Sequence, residues 1–477
     1  SLARKYHTNN KIYKYCMHKL TKRINYGIQG IPDKLLENFR KDPNLTSAIN
    51  SSLLILNNKS NYHEYQKNIL NFYNKDTIVP YHPVAAKGPW IIASNGALLY
   101  DVGGYGMLGF GHSPDWCLEV LSKPHVMANI MTPNSIQLDF TNILQEKIGI
   151  NRDDGCPYSH FAFLNSGSES IELATRITDI KRKTNNETFF IVLKDSFHGR
   201  TGKASTLSDS TKSIYKKYLK SFSKELPVKT VEINDIDGFV SVFNTYKIGS
   251  VIMEPVMGEG NPGICVNEAF YDCVRQMTKK TNSNLIIDSI QAGIRGTGYL
   301  SIVDYPHLKN KDPPDMEIFS KAISSGQYPL SVLAMKQDIY HTFKTGLYGN
   351  TMTGNPKALE VGYETLKRLD NDVVMNIQNK GERFKTMLQE IQEKYPHIAT
   401  HVTGSGLLLA LHINSNYNVC NGNNGLEYIC RSNGLNVIHG GDNALRFTPY
   451  FLINDNEIEL IKNLLDISFA DFTKSIN

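Results

Sequence analysis

Two periodicities alternate along most of this chain, and that alternation restricts its fold more than any other feature. Apolar runs of strand length at residues 161–164, 189–193, 250–253 and 285–287 are interleaved with stretches of helical spacing, such as 168–183 and 268–280. A run that is apolar at every position belongs in a strand covered on both faces, and parallel neighbours need a crossover that a helix supplies. The expected class is α/β, a large domain with a mostly parallel sheet flanked by helices.

The remaining segments sort around that domain. Residues 151–355 hold the alternation, 76–150 read as the N-terminal segment of a small domain with its linker, and 356–477 read as a C-terminal small α+β domain. In the last segment the pattern predicts a long helix from about Pro356, a strand over 400–412, a helix over 426–433, a short strand at Val437 and a final helix after Asp455. Residues 1–75 form an extension outside the catalytic core, where Leu35, Leu36, Phe39, Ile55, Tyr65, Ile69 and Leu70 suggest short helices.

Composition excludes several classes. With 41% hydrophobic residues in 477, the chain can bury a sizeable core. Lys and Arg number 51 against 46 Asp and Glu, and a net charge of +5 over this length does not indicate a nucleic-acid partner. The seven cysteines are odd in number and form no C-x-x-C pair, so neither a zinc cluster nor a complete disulfide set is expected, no metal is assigned, and a reducing compartment fits. No stretch approaches the roughly 18 to 20 apolar residues of a membrane helix. Residues 1–32 carry seven basic residues and no acidic one, as mitochondrial transit peptides do. The expected location is the mitochondrial matrix; the alternative is a cytoplasmic protein with a solvated basic arm.

Candidate chemistry begins at Asp288, which follows the apolar run 285–287 and so points into the crevice at the carboxyl end of a buried strand. Lys321 follows another apolar segment and leads into a turn ending at Gly326. A buried lysine beside a carboxylate suits Schiff-base chemistry, because the amine must lose its charge to attack an aldehyde. By spacing alone, a surface lysine and a structural aspartate are the favoured reading. Residues 165–169, Asn-Ser-Gly-Ser-Glu, join a strand to a helix N-terminus and offer a phosphate site or an ordinary cap. Residues 197–201, Phe-His-Gly-Arg-Thr, place an aromatic beside a polar turn, and residues 348–356 form a glycine-broken turn before a helix.

In this order these segments resemble the class III pyridoxal-phosphate aminotransferases of fold type I, the group of the ornithine, acetylornithine, 4-aminobutyrate and lysine ε-transaminases. The resemblance covers about residues 80–470. It implies pyridoxal 5′-phosphate as cofactor, with Gly167 and Ser168 on its phosphate, Phe197 stacked on its ring, Asp288 at the ring nitrogen and Gln291 at the phenolic oxygen. It makes Lys321 the catalytic lysine. It places Thr351 on the phosphate of the neighbouring subunit, which implies a homodimer. Glu259 and Arg446 match a switchable ion pair that admits either an ω-amine donor or a second carboxylate, and Tyr105 lies where the family lines its substrate pocket.

The implied function is an aminotransferase that moves an amino group from an ω-amino acid to a 2-oxo acid, 2-oxoglutarate, by a ping-pong mechanism. Another reaction of the same scaffold (racemase, aminomutase or decarboxylase) and a noncatalytic subunit of a larger assembly remain open at this stage. Three positions depart from the family pattern: Ser289 replaces an acidic residue, Met257 a glutamine, and residues 324–326 read Ser-Ser-Gly instead of three glycines.

Overall fold

A computed structural model describes residues 42–52, 66–73, 77, 79, 81–94, 97–181, 188–223 and 226–476. The basic segment 1–32 lies outside the described residues, as do Leu35, Leu36, Phe39, Ile55 and Tyr65. Ile69 and Leu70 sit in an exposed turn, not on a helix. Helices in proteins are stabilised mainly by packing an apolar face, and these two side chains cover no core among the described residues.

The large sheet has seven strands in the order His160–Leu164, Ser331–Met335, Met316–Phe319, Asn284–Asp288, Ile248–Met253, Phe189–Leu193, Val228–Val231. Ser331–Met335 runs antiparallel to both its neighbours, and the other neighbouring pairs are parallel. The antiparallel strand has a simple cause. The connection from Phe319 to Ser331 is too short to hold a crossover helix, so the chain returns beside the strand it has just left. Every residue of Asn284–Asp288 and Ile248–Met253 is buried, as their unbroken apolar runs demand.

Helices pack on this sheet and begin with identifiable caps. In Glu268–Lys280 the Asn267 side chain accepts from the Phe270 amide at 2.8 Å, which satisfies one of the orphan donors of the first turn. The helix Gly167–Lys181 starts directly after the strand His160–Leu164, at the carboxyl edge where the parallel strands of the sheet also end.

Two four-stranded sheets complete the fold: Pro83–Lys87, Trp90–Ala93, Leu98–Asp101 and Leu435–Asn436 in one, and Ala399–Ser405, Leu408–Ile413, Ala444–Phe447 and Ile438–Gly440 in the other. Three sequence expectations need correction here. The strand over 400–412 is a hairpin, because Gly406 adopts φ 54° and turns the chain. The long helix from Pro356 is two, Pro356–Lys367 and Asn371–Lys394, with the Asp370 carboxylate accepting from Val373 N at 3.0 Å to start the second. The short strand at Val437 divides around that residue: Leu435–Asn436 joins one sheet and Ile438–Gly440 the other, with Val437 buried between them.

The helix Asn371–Lys394 approaches the hairpin so closely at Gly381 that a Cβ there would lie 2.4 Å from the Gly406 carbonyl oxygen. Two effects of Gly381→Ala therefore oppose each other. Helix propensity would gain about 1 kcal/mol, while forcing a methyl against backbone costs about 1 to 3 kcal/mol. We expect net destabilisation in urea unfolding; a variant more stable than the parent would show that the helix can move off the hairpin freely.

Candidate active site

The carboxyl ends of the central strands open into a cavity of about 380 Å³ lined by Gly167, Ser168, Phe197, Asp288, Gln291 and Lys321, among others. Six of the residues singled out in the sequence therefore meet in one place, although 154 positions separate the first from the last.

Asp288 ends the strand Asn284–Asp288 and is buried. Its Oδ1 accepts from the Ile290 amide at 3.1 Å, and its Oδ2 lies 2.7 Å from His198 Nδ1. The next strand in the sheet, Met316–Phe319, runs parallel to it and delivers Lys321 after a single intervening residue. Lys321 holds φ 49°, a left-handed conformation that is unusual for a lysine and marks stored strain at a site. Burial holds its ammonium below the ordinary lysine range, and the Arg446 charge adds to this against the pull of Glu259 and Asp288. A neutral amine is thus easier to reach here than in water.

Lys321 Nζ donates to Gln291 Oε1. The other end of that amide donates to the Gly258 carbonyl at 2.9 Å, and Arg446 Nη1 donates to the same oxygen at 2.6 Å. Arg446 Nη1 also pairs with Glu259. Burial would raise the Glu259 carboxyl, but Arg446 and Lys321 outweigh it and hold its pKa below the ordinary carboxylate range. One carbonyl therefore connects the amine end of the cavity to the arginine beyond it. The pair is asymmetric: Arg446 is 1% exposed at its side chain and Glu259 is 37% exposed, so the carboxylate can leave for solvent while the guanidinium cannot.

The opposite end is shaped by glycine. Gly167 opens the helix Gly167–Lys181, and a Cβ on it would lie 2.5 Å from Ile290 Cδ1. Gly199, at φ 117°, approaches so closely that a Cβ would fall 2.1 Å from Ser168 Oγ. The helix N-terminus and the Ser168 hydroxyl make this end suitable for an anion. Anion site, aromatic ring, buried carboxylate and amine at depressed pKa match the phosphate, ring face, ring nitrogen and aldehyde of pyridoxal phosphate, so these residues fit that cofactor.

Four expected residues do not line the cavity: Glu259 and Arg446 lie beyond its amine end, and Thr351 and Tyr105 stand outside it. Thr351 is exposed in a turn held to the phosphate loop by Asn350, whose Oδ1 accepts from Asn165 Nδ2 at 3.0 Å. Tyr105 is 44% exposed, while its neighbours come closer: Met107 lines the cavity, and a Cβ on Gly106 would lie 3.0 Å from Gln291 Cγ. Sequence reasoning missed His198, Glu254, Gln327 and Tyr328, all cavity residues. His198 and Glu254 carried a signal, one directly after Phe197 and the other at the head of residues 254–259, the segment that ends in Glu259. Arg200 stands with Cζ 5.3 Å from the Phe197 ring centre, an exposed guanidinium beside a cavity residue. Elsewhere, Cys420, Glu427 and His439 bring ligand atoms within 4.8 Å of one another, but Arg431 already pairs with Glu427 at 2.6 Å and neutralises the carboxylate that a cation would need.

The cavity and the sheet that carries it define a pyridoxal-phosphate-dependent transferase of fold type I. Within that class, the sequence pattern of the family described as aminotransferase class III matches residues 72–467, and the chain belongs to this family. It is an aminotransferase, and its cofactor is pyridoxal phosphate. The mitochondrial acetylornithine aminotransferase of Debaryomyces hansenii is 29% identical over 396 residues, covering 80% of this chain and 82% of that protein. The ornithine aminotransferase of Saccharomyces cerevisiae is 25% identical over 417 residues, covering 82% and 95%. Among solved structures, the ornithine aminotransferase of Toxoplasma gondii superposes with a TM-score of 0.76 at 22% identity, over 87% of this chain and 94% of that one.

Ser289, which stands where the family carries an acidic residue, donates from its Oγ to Glu317 Oε1 at 2.6 Å. A carboxylate is therefore present beside this position, supplied by the neighbouring strand. Glu317 is fully buried, accepts from Tyr158, Ser301 and the Ile302 amide as well, and has no cation partner among the described residues. Burial raises its pKa from 4.5 to about 7 against the pull of those donors. The folded state then keeps a proton that the unfolded chain has released. The stabilisation from this group is fully present below pH 4.5 and is lost as pH rises through about 7. Glu254 and Glu457 slope the same way. Glu317→Gln stays neutral throughout, so the parent's melting temperature should fall more steeply than the variant's across that window; parallel curves would show that Glu317 is ionised at every pH tested.

Proposed function

We propose that this chain transfers the amino group of an ω-amino acid to 2-oxoglutarate by a ping-pong mechanism, with Lys321 and Asp288 as catalytic residues. The observation that carries this reading is the Arg446–Glu259 pair, tied to the amine end of the cavity through the Gly258 carbonyl. When bound, pyridoxal phosphate supplies an aldehyde for the amino group and a ring that withdraws electrons from the substrate carbon. Gly167 and Ser168 would hold its phosphate, Phe197 its ring face and Gln291 its phenolic oxygen. Asp288 holds a proton at the ring nitrogen. Lys321 Nζ would take the proton from the substrate carbon and return it to that carbon when the half-reaction runs in reverse.

Glu259 covers Arg446 while an ω-amine donor occupies the site. It swings to solvent when a dicarboxylate arrives, and the planar guanidinium then takes the second carboxylate in a bidentate contact. Relatives named for ornithine and acetylornithine, both with a distal nitrogen, agree with such a donor. Tyr105 forms part of the substrate mouth. A second copy of the chain brings Thr351 to the phosphate; Met127, Ile130, Met131 and Met352 stand exposed around the turns that Asn129 and Thr351 tie together, an apolar surface fit for that copy. The basic, acid-poor segment 1–32 and three fungal relatives named mitochondrial favour the mitochondrial matrix.

Lys321→Ala should abolish turnover and the cofactor's visible-edge absorbance while the protein remains folded; retained activity would remove Lys321 from the site. Arg446→Lys should slow the 2-oxoglutarate half-reaction by about ten- to a hundred-fold, the worth of roughly 1.5 to 3 kcal/mol in a charge-assisted bond, and leave the donor half-reaction nearly unchanged. Glu259→Ala should shift preference from ω-amines towards glutamate. Single-turnover absorbance of each half-reaction reads both, and equal losses in both halves would make the pair a static salt bridge.

A further inference from the structure

The strands Phe189–Leu193 and Val228–Val231 close one end of the large sheet, and the segment between them carries a surface that none of the roles above uses. From Lys203 to Lys220 the sequence holds Lys203, Lys212, Lys216, Lys217 and Lys220 against Asp209 alone, in a chain whose basic and acidic totals are 51 and 46. That one carboxylate is already engaged. Asp209 Oδ2 accepts from the Asp195 amide at 3.1 Å and its Oδ1 from Thr230 Oγ1 at 3.0 Å, while Lys212 Nζ stands 3.9 Å away. The local excess of positive charge is therefore left facing solvent.

Apolar side chains stand among those lysines. The helix Lys212–Tyr218 and the turn after it are pinned from inside by Phe222, which is buried with its ring 5.2 Å from that of half-buried Tyr215. The remaining apolar residues point outwards: Ile214 and Tyr218, one helical turn apart, are 58% and 70% exposed, and Leu219 is 44% exposed. Lys216, Lys217 and Lys220 are exposed beside them, with Lys217 Nζ 5.1 Å from the centre of the Tyr218 ring. A surface helix with no partner keeps its outward side polar, and this one does not. The second copy proposed above would not cover it. The turn assigned to that copy is tied to Asn165, after the strand His160–Leu164 at the opposite edge of the seven-stranded sheet.

We infer that this patch docks the protein on an anionic lipid bilayer, with Lys216, Lys217 and Lys220 over the headgroup phosphates and Ile214, Tyr218 and Leu219 at the boundary between headgroups and acyl chains. The lysines call for an anionic partner, and the apolar residues decide its kind. A nucleic acid backbone would engage the lysines but offers nothing to Ile214 or Leu219, whereas a bilayer interface takes basic and apolar groups side by side. Tyrosine, with an apolar body and a polar tip, suits that depth. Three lysines, each worth about five-fold in binding near an anionic surface, give attachment that is reversible and salt-sensitive.

The test is sedimentation of the cofactor-loaded protein with vesicles of phosphatidylcholine alone and of equal parts phosphatidylcholine and phosphatidylglycerol, each at low and high salt. The parent should pellet with the anionic vesicles at low salt, be released at high salt, and ignore the neutral ones. Lys216→Gln, Lys217→Gln and Lys220→Gln combined should weaken binding by about a hundred-fold, and Ile214→Ser with Leu219→Ser by about ten-fold or more. Both variants should keep the parent's transaminase activity, because these side chains stand outside the cavity. Tyr218→Trp should show a fluorescence blue shift on anionic vesicles that the parent lacks, and this measurement decides if a combined variant fails to fold. A parent that does not pellet with anionic vesicles overturns the inference, as does the absence of that shift. Binding unchanged in both combined variants would place the contact elsewhere on the chain, and loss in the lysine variant alone would mark a site for a soluble polyanion; either result overturns the bilayer as partner.

Discussion

A carboxylate and an amine have to be kept a few side-chain lengths apart inside a protein interior, and the rest of this structure serves that requirement. Each buried ion costs several kcal/mol to desolvate, so neither Asp288 nor Lys321 could persist in a bare apolar wall. The sheet meets the cost by geometry: neighbouring parallel strands release the two residues at the same edge, where loops converge with amides, an imidazole and a glutamine. The amine stays poised because burial and a neighbouring arginine weigh against its charge, not because any one contact removes it.

The Gly258 carbonyl gives the cleft its second level of order. Gln291 and Arg446 both donate to that oxygen, which ties the amine end of the cavity to the guanidinium independently of what Glu259 does. Glycine is required there, since a Cβ would lie 2.4 Å from the Gln291 side chain. On the proposed reading, a partly exposed carboxylate set against a buried cation lets the site accept substrates of two different charges in turn.

Much of this was legible in the sequence, for a physical reason. Unbroken apolar runs follow directly from burial of a strand on two faces and helical spacing from burial of a helix on one, so the α/β class and the central strands could be read. Met316–Phe319 could not, because Glu317 interrupts its apolar pattern and is tolerated through hydroxyls from three other positions and the Ile302 amide. Val437 misled for a related reason: a single apolar residue between two sheets looks like the middle of one strand. Six cavity residues were found because their motifs combine glycine, charge and hydroxyl in orders that packing does not need. His198 escaped notice because its partner, 90 positions away, is visible only after folding.

The strand exchange at Val437 also bears on how the chain is made. Leu98–Asp101 emerges early from the ribosome, yet the strand that completes its sheet lies far downstream, with Asn436 reaching Asp101 across 335 residues. Until then the nascent chain carries an open β edge, the kind of surface that pairs with other chains. Synthesis at about 5 to 20 residues per second leaves that edge uncovered for tens of seconds. The N-terminal sheet is therefore finished only near the end of synthesis although it is begun early, and a chain truncated before Leu435 would expose that edge permanently.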